Sequence, residues 1–421
     1  MRIVTIGDVG VLDGMVHIGD EAMFHEATVQ LRARGATITA VSSNPAETAE
    51  RYGIDAVPAI GFHPATTGGR LGQRERRARV LSAIDGGAGH LPQDDPAWQV
   101  VEAVREADGV LVAGGGNMAS LWPMHVYERN TLGLIARRFD KPLVVSGQTI
   151  GPVLEGEDRE LVTELLDAAA LVGLREGASL ELVRSLGVDP TTTVGTVDDA
   201  SFLGFEAAPP AGGAAGAAGA AGAAGAASVA GAAAPYLAVS LSAHVGDADR
   251  GAFATAVARL LDRVAGEAGL EVVFLAHWGS LVPTEERGDS LLHRAVLDQL
   301  TVPARVEPTT DSPAAARFAR GAALHLTSRY HPAVFAVAGG VPTVGLAVDD
   351  YTTIKLTGAL GNFGQTSVVS AAQLLAGEAD VVALAAWAGR DAVRSAWADR
   401  LDGTRAASAA WWDRVAAALR G

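Results

Sequence analysis

The 421-residue sequence contains no cysteine. That excludes disulfides, thiolate metal sites and a cysteine nucleophile, and it suits a reducing compartment. Positive charge is also scarce: 33 Lys and Arg stand against 48 Asp and Glu, a formal net charge of -15. A chain this acidic repels phosphate backbones, so nucleic-acid binding is not expected. A few converging cations can still hold a small anion. No window offers about 18 uninterrupted apolar residues, the length a spanning helix needs. The sequence has no GxGxxG fingerprint, no GxxxxGK[ST] and no HExxH. The usual sequence grounds for a dinucleotide, a P-loop nucleotide or a catalytic zinc are therefore missing, and no metal site is expected among its histidines.

What is present is an ordinary globular balance, 49% apolar and 19% charged, in a chain long enough for two or three domains. "MRIVTIGDVG" reads as a first strand rather than a signal peptide, and the chain is read as soluble and cytoplasmic. Short apolar runs alternate with helical patterns. "RIVTIGD", "TITAVSS", "DGVLVAGGGN", "PLVVSGQTIGP" and "AALVGLRE" read as strands, and "DEAMFHEATVQLRARG" and "SLELVRSLG" as helices. Strands apolar throughout suit a parallel sheet buried on both faces. The rhythm breaks at 207–234, an Ala/Gly-rich tract that reads as a linker or surface loop. It then resumes with "PYLAVSLSAH", "LEVVFLAHWGS", "ALHLTSRYH" and "VPTVGLAVD" as strands. The expected fold is α/β, with two Rossmann-like doubly wound domains facing across a cleft, over 1–206 and 235–370. Helices over 371–421 follow, and such folds often return a terminal helix to the first domain.

In open parallel sheets, ligands bind beyond the carboxyl ends of the strands. The polar residues there are Gly7, Asp8, Gly114, Gly115, Gly116, Asn117, Gln148, Arg175, His244, His277, Ser328, Arg329 and His331. The glycines of "VLVAGGGNM" allow close backbone approach, to a ligand or in a plain turn, and Asn117 is placed to cap a following helix. Asp20 reads either as a helix N-cap or as a site residue. Arg175 either reaches solvent, pairs with Glu176, or serves the site. In "TSRYHPAVF", extended geometry puts Arg329 and His331 on one face and Tyr330 on the other. Pro332 suits the first position of a buried helix. An arginine, a histidine and a helix N-terminus then converge as an anion seat, against the alternative of a core histidine beside a surface arginine.

Taken together, "HIGDEAM", "GGGNM", "GQTIGP", "LREGASLELVRSLGV", "DDASFL" and "SRYHPAVFAVAGGVPTVGL" resemble the polysaccharide pyruvyl transferase family. The resemblance implies a glycosyltransferase-B-like fold with the sugar acceptor on the first domain and phosphoenolpyruvate on the second. It implies transfer of a carboxyvinyl unit to a sugar diol of a cell-surface polysaccharide or its lipid-linked precursor, giving a ketal and phosphate without a further cofactor. Arg329 and His331 lie where the family has its Arg-x-His pair, and Arg175 lies where a further arginine is expected. His17 stands where the family often has asparagine. Two anionic groups on one small substrate call for cations, and arginine suits both. His331 is the candidate for a proton or for phosphate contact. Asp20 and His277 are weaker candidates for acceptor contact or base, and Ser328, Gln148 and His244 complete the expected lining. A nucleotide-sugar glycosyltransferase or epimerase and a non-catalytic scaffold are the alternatives. Contact with a membrane surface and the oligomeric state stay open.

Overall fold

The computed structural model describes residues 1–63, 67–86, 91–205 and 234–421. The expected linker lies outside these residues, apart from Ala234. The first sheet uses strands β1 (Arg2–Ile6), β3 (Thr37–Ser42), β4 (Asp55–Pro58), β5 (Gly109–Val112), β6 (Gly115–Met118), β7 (Leu143–Ile150), β8 (Leu171–Leu174) and β9 (Thr193–Gly195). Its order is β4-β3-β1-β5-β7-β8-β9, with β6 paired to β7, and every pairing is parallel. The second sheet is also parallel. It orders β13 (Ala304–Glu307), β11 (Glu271–Leu275), β10 (Tyr236–Ser240), β14 (Leu324–Thr327), β15 (Thr343–Ala347) and β16 (Val368–Ser370). Both sheets start in the middle, grow to one side and then cross to the other. Each therefore has a switch point, between β1 and β5 and between β10 and β14, where a crevice opens beyond the strand ends.

The central strands are buried on both faces, as their apolar runs require: β5, β7 and β8 have no exposed residue. Helices cover both sides. Those used below are α1 (Ile18–Ala33), α2 (Pro123–Arg138), α3 (Tyr330–Ala338), α4 (Asp350–Gly361) and α5 (Arg390–Ala418). None among the described residues is long and apolar enough to cross a membrane.

Several contacts help to join the halves. "LEVVFLAHWGS" is not one strand: it breaks after Leu275, and β12 (Trp278–Ser280) pairs antiparallel with β2 (Met15–His17) of the first half. The Ile18 amide also donates to the His277 carbonyl at 2.8 Å. Behind the cleft, Arg320 donates to the carbonyls of Ser201 and Leu203. Finally, α5 spans both domains. Trp397 Nε1 donates to the Ala338 carbonyl of the second domain at 2.7 Å, while Trp411 and Trp412 pack against Ile3, Leu31, Leu111 and Val144 of the first.

Four local readings need correction. The strand in "ALHLTSRYH" stops at Thr327 because the Thr327 hydroxyl accepts from the Arg329 amide at 2.8 Å and folds the chain into a side-chain turn. Helix α3 then starts at Tyr330, so Pro332 is its third residue, where its missing N–H is still no loss. Likewise α1 starts at Ile18 with His17 at the N-cap position, which leaves Asp20 inside the first turn. Asn117 lies in β6 and caps nothing; the N-cap of α2 is Trp122.

Candidate active site

A cavity of about 700 Å³ lies between the two switch points and is lined from both domains. One wall is cationic. Arg175, at the end of β8, is buried, and its guanidinium sits 4.3 Å over the Tyr330 ring. Nη1 donates to Asp198 at 2.7 Å, and Nε to Thr149 at 2.9 Å and to Glu176 at 3.1 Å. Nη2 is buried and has no partner. Burial alone would favour loss of the proton, but Tyr330, Glu176 and Asp198 around it raise the Arg175 pKa.

Lys355, on α4, comes to the same place. Its Nζ lies 4.9 Å from the Tyr330 ring, 4.7 Å from the Tyr351 ring and 3.2 Å from the Tyr351 hydroxyl. Among the described residues it forms no ion pair. Gly116 shows how tightly these groups meet: a Cβ there would lie 2.7 Å from Lys355 Nζ and 3.1 Å from Arg175 Nη2. The Tyr351 hydroxyl donates to the Gly116 carbonyl.

His331 forms the floor. It is the second residue of α3, next to the free amides of the helix start. Its Nε2 lies 3.6 Å from Asp198 Oδ2, and a methyl on Gly19 would overlap its ring. Burial lowers the His331 pKa below 6.5, and Asp198 pulls partly in the other direction. Burial would raise the pKa of Asp198 itself, yet His331 and Arg175 hold it well below the usual carboxylate range. His277 is buried beside them with neither ring nitrogen bonded, and burial keeps it neutral.

Arg329 is spent differently. Its Nε and Nη2 make a two-pronged bond to Asp289, at 2.9 and 2.5 Å, and Asp289 also accepts from the Ala243 and Trp278 amides. Its Nη1 is 3.4 Å from His17 Nε2. Arg329 therefore ties the loops after β10 and β11 to the start of α3 and turns one edge to the cavity. Ser328 braces this floor by accepting from the Ser242 amide at 2.8 Å.

The first domain supplies an acidic wall. His17 Nδ1 lies 2.8 Å from Asp20, and His125 Nδ1 lies 3.2 Å from Asp8. Asp8 also receives Arg129 at 2.7 Å. Burial would raise the Asp8 pKa, but Arg129 and His125 hold it well below the usual range.

The structure thus brings together Arg175, Arg329, His331, Asp20, Gly116, Asn117, His277 and Ser328. His244 joins them at the mouth, exposed and bonded to Asp349 at 2.9 Å. Gln148 and Gly115 do not line the cavity. Gln148 is buried behind it and donates to the Ala113 carbonyl at 2.5 Å, and Gly115 packs against its amide. Tyr330, expected on the opposite face from Arg329, also lines the cavity because the helix has already begun. Asp8 was among the strand-end residues read from sequence; Lys355, Tyr351, Asp198 and its partner His125 were not. One signal existed for Lys355: Lys141 and Lys355 are the only lysines in the chain. Among the described residues, no cluster of three or more His, Asp or Glu is arranged to hold a metal ion.

Solved structures similar to the chain include the UDP-GlcNAc 2-epimerase from Methanocaldococcus jannaschii, at 11% identity and TM-score 0.53, covering 91% of this chain and 93% of that one. A quercetin complex of Arabidopsis thaliana UGT89C1 gives 11% identity and TM-score 0.56, with 100% and 99% covered. The spinosyn rhamnosyltransferase SpnG gives 18% and 0.52, with 99% and 100% covered. At such identities these show a shared fold alone, that of two-domain glycosyltransferases and epimerases. A comparison with curated proteins gives no match. The family described as polysaccharide pyruvyl transferase matches residues 17–350.

Proposed function

This chain belongs to the polysaccharide pyruvyl transferase family, and we propose that it transfers the carboxyvinyl unit of phosphoenolpyruvate to two hydroxyls of a sugar, giving a cyclic ketal and phosphate. The observation that carries the reading is the meeting of Arg175 Nη2 and Lys355 Nζ at Gly116, beside the start of α3. A buried guanidinium edge without a partner, an ammonium without a carboxylate and free helix amides together suit a small molecule with two anionic groups.

The chemistry follows from these positions. Protonation of the methylene carbon leaves positive charge on the carbon that bears the phosphate and carboxylate. The first sugar hydroxyl adds there and gives up its proton. The carbon–oxygen bond to phosphate then breaks, and the second hydroxyl adds in its place. One proton is taken up and two are released, so one leaves with phosphate. His331 supplies the first proton: its lowered pKa makes the imidazolium a stronger acid than free histidine, and the bound anions favour its charging. The acidic wall of Asp8 and Asp20 repels the donor and accepts hydrogen bonds from hydroxyls, which supports an acceptor on the first domain.

The test is phosphate release from phosphoenolpyruvate over a panel of glycan acceptors, with thermal shifts in parallel. Phosphoenolpyruvate should raise the melting temperature of the wild type. Lys355→Met and Arg175→Lys should remove that rise and slow turnover by at least about 100-fold, roughly 2.7 kcal/mol of lost charge stabilisation. A protein stabilised by nucleotide-diphosphate sugars and indifferent to phosphoenolpyruvate would instead be a glycosyltransferase or epimerase.

A further inference from the structure

The donor end occupies the buried part of the cavity. The remainder opens toward the N-terminus of α2, where Leu121 and Trp122 line it together with His125. Trp122 is 45% exposed, and its side chain caps nothing although it holds the N-cap position of α2. Neither core packing nor helix capping accounts for it. His125 is one turn on, its amide bonded to the Trp122 carbonyl at 3.0 Å, so ring and imidazole rise from the same helix end. Asp8 stands beside His125, ionised and fixed by Arg129. Trp278, 42% exposed, lines the cavity from the second domain.

We propose that Trp122 is the platform on which the acceptor's sugar ring stacks, with its hydroxyls turned to the Asp8–His125 pair. A pyranose has an apolar face of C–H bonds and a rim of hydroxyls. The negative face of an indole suits the first, and a fixed carboxylate with an imidazole suits the second. The carboxylates of Asp8 and Asp20 make this wall unfavourable for a second anion, so the occupant is a neutral polyol. Trp122 then sets acceptor affinity, and Asp8 and His125 orient the hydroxyls. This rests on the pyruvyl-transfer reading for the fate of the sugar, but not for its binding.

Saturation-transfer NMR without donor, using the methyl glycosides of glucose, galactose, mannose and N-acetylmannosamine, tests the platform directly. The wild type should saturate the ring C–H protons of at least one glycoside. Trp122→Ala should weaken that glycoside's binding by about tenfold or more, and Trp122→Phe by no more than about threefold. Trp122→Ala should keep the thermal shift given by phosphoenolpyruvate, which marks an intact fold and donor end. A wild type that saturates none of the glycosides, or a Trp122→Ala variant that binds as tightly, overturns the platform. Sugar binding through Trp122 in a protein that phosphoenolpyruvate does not stabilise would leave the platform standing and sink the donor reading.

Discussion

Asp198 serves two partners at once, the Arg175 guanidinium at 2.7 Å and the His331 imidazole at 3.6 Å. Its charge keeps the His331 pKa from falling further, against the pull of burial. Asp198→Asn should therefore lower that pKa. If His331 acts as the acid, the alkaline limb of the kcat/KM–pH profile moves to lower pH, and the measurement is that profile at fixed ionic strength. A profile unchanged in shape but reduced in height would leave Asp198 as a support for Arg175 alone. Its neighbour Asp199 shows the opposite effect. Burial, and then the charge of Asp198, push its carboxyl up to about 8. The folded state thus holds a proton that the unfolded chain releases above its ordinary carboxylate pKa, and this costs stability increasingly as pH rises toward 8. Asp199→Asn should raise the melting temperature by a few degrees at pH 8 and hardly at all near pH 4. Calorimetry at the two pH values checks the sign.

At the scale of elements, glycines decide how close helices and strands come to the site. Gly19 opens the first turn of α1 against His331, and Gly116 in β6 leaves room for Lys355 and Arg175. A methyl on Gly19 would overlap the buried imidazole and must displace it. Gly19→Ala should lower kcat by about 100-fold or more, as a misplaced catalytic group does, while circular dichroism stays native. Undiminished turnover would mean that His331 does not need its present seat. Gly116 was visible in "GGGN" as a point of close approach, whereas Gly19 in "HIGDE" was not read as one. What approaches them was not visible, because α3 and α4 are more than 200 residues further along the chain. The turn at Thr327 was hidden for a related reason. A threonine in an apolar run reads as strand, and only the Arg329 amide reaching its hydroxyl makes it a stop. Arg329 and His331 do share the cavity, yet through a helix start rather than the pleat of a strand.

At the scale of the whole molecule, α5 connects the two domains at a distance from the cavity. Trp411 Nε1 donates to Ser146 at 2.9 Å, and Ser146 bonds Asp199 at 3.0 Å, next to the carboxylate that holds Arg175 and His331. Removing the ring opens a large hole under the first sheet and unties that chain of contacts. Trp411→Ala should cost about 3–5 kcal/mol, read as a lower denaturant midpoint, whereas Trp411→Phe keeps most packing and loses only the hydrogen bond. Equal midpoints for the two variants would deny the ring its place in the core.

The sequence by itself determined the two parallel sheets, because strands buried on both faces must be apolar throughout and crossover helices must separate them. It also marked the strand ends where polar residues collect, since that position follows from the sheet and not from any partner. Only the tertiary structure decided which of those residues meet. It left Gln148 buried behind the cavity, bound Arg329 to Asp289, and delivered Lys355 and Asp198 to Arg175. Such pairings join residues far apart in the chain. Most lie within one domain and depend on how its loops fold back beyond the sheet, while Lys355 meets Arg175 only because the two domains are set against each other; no local pattern of residues encodes either.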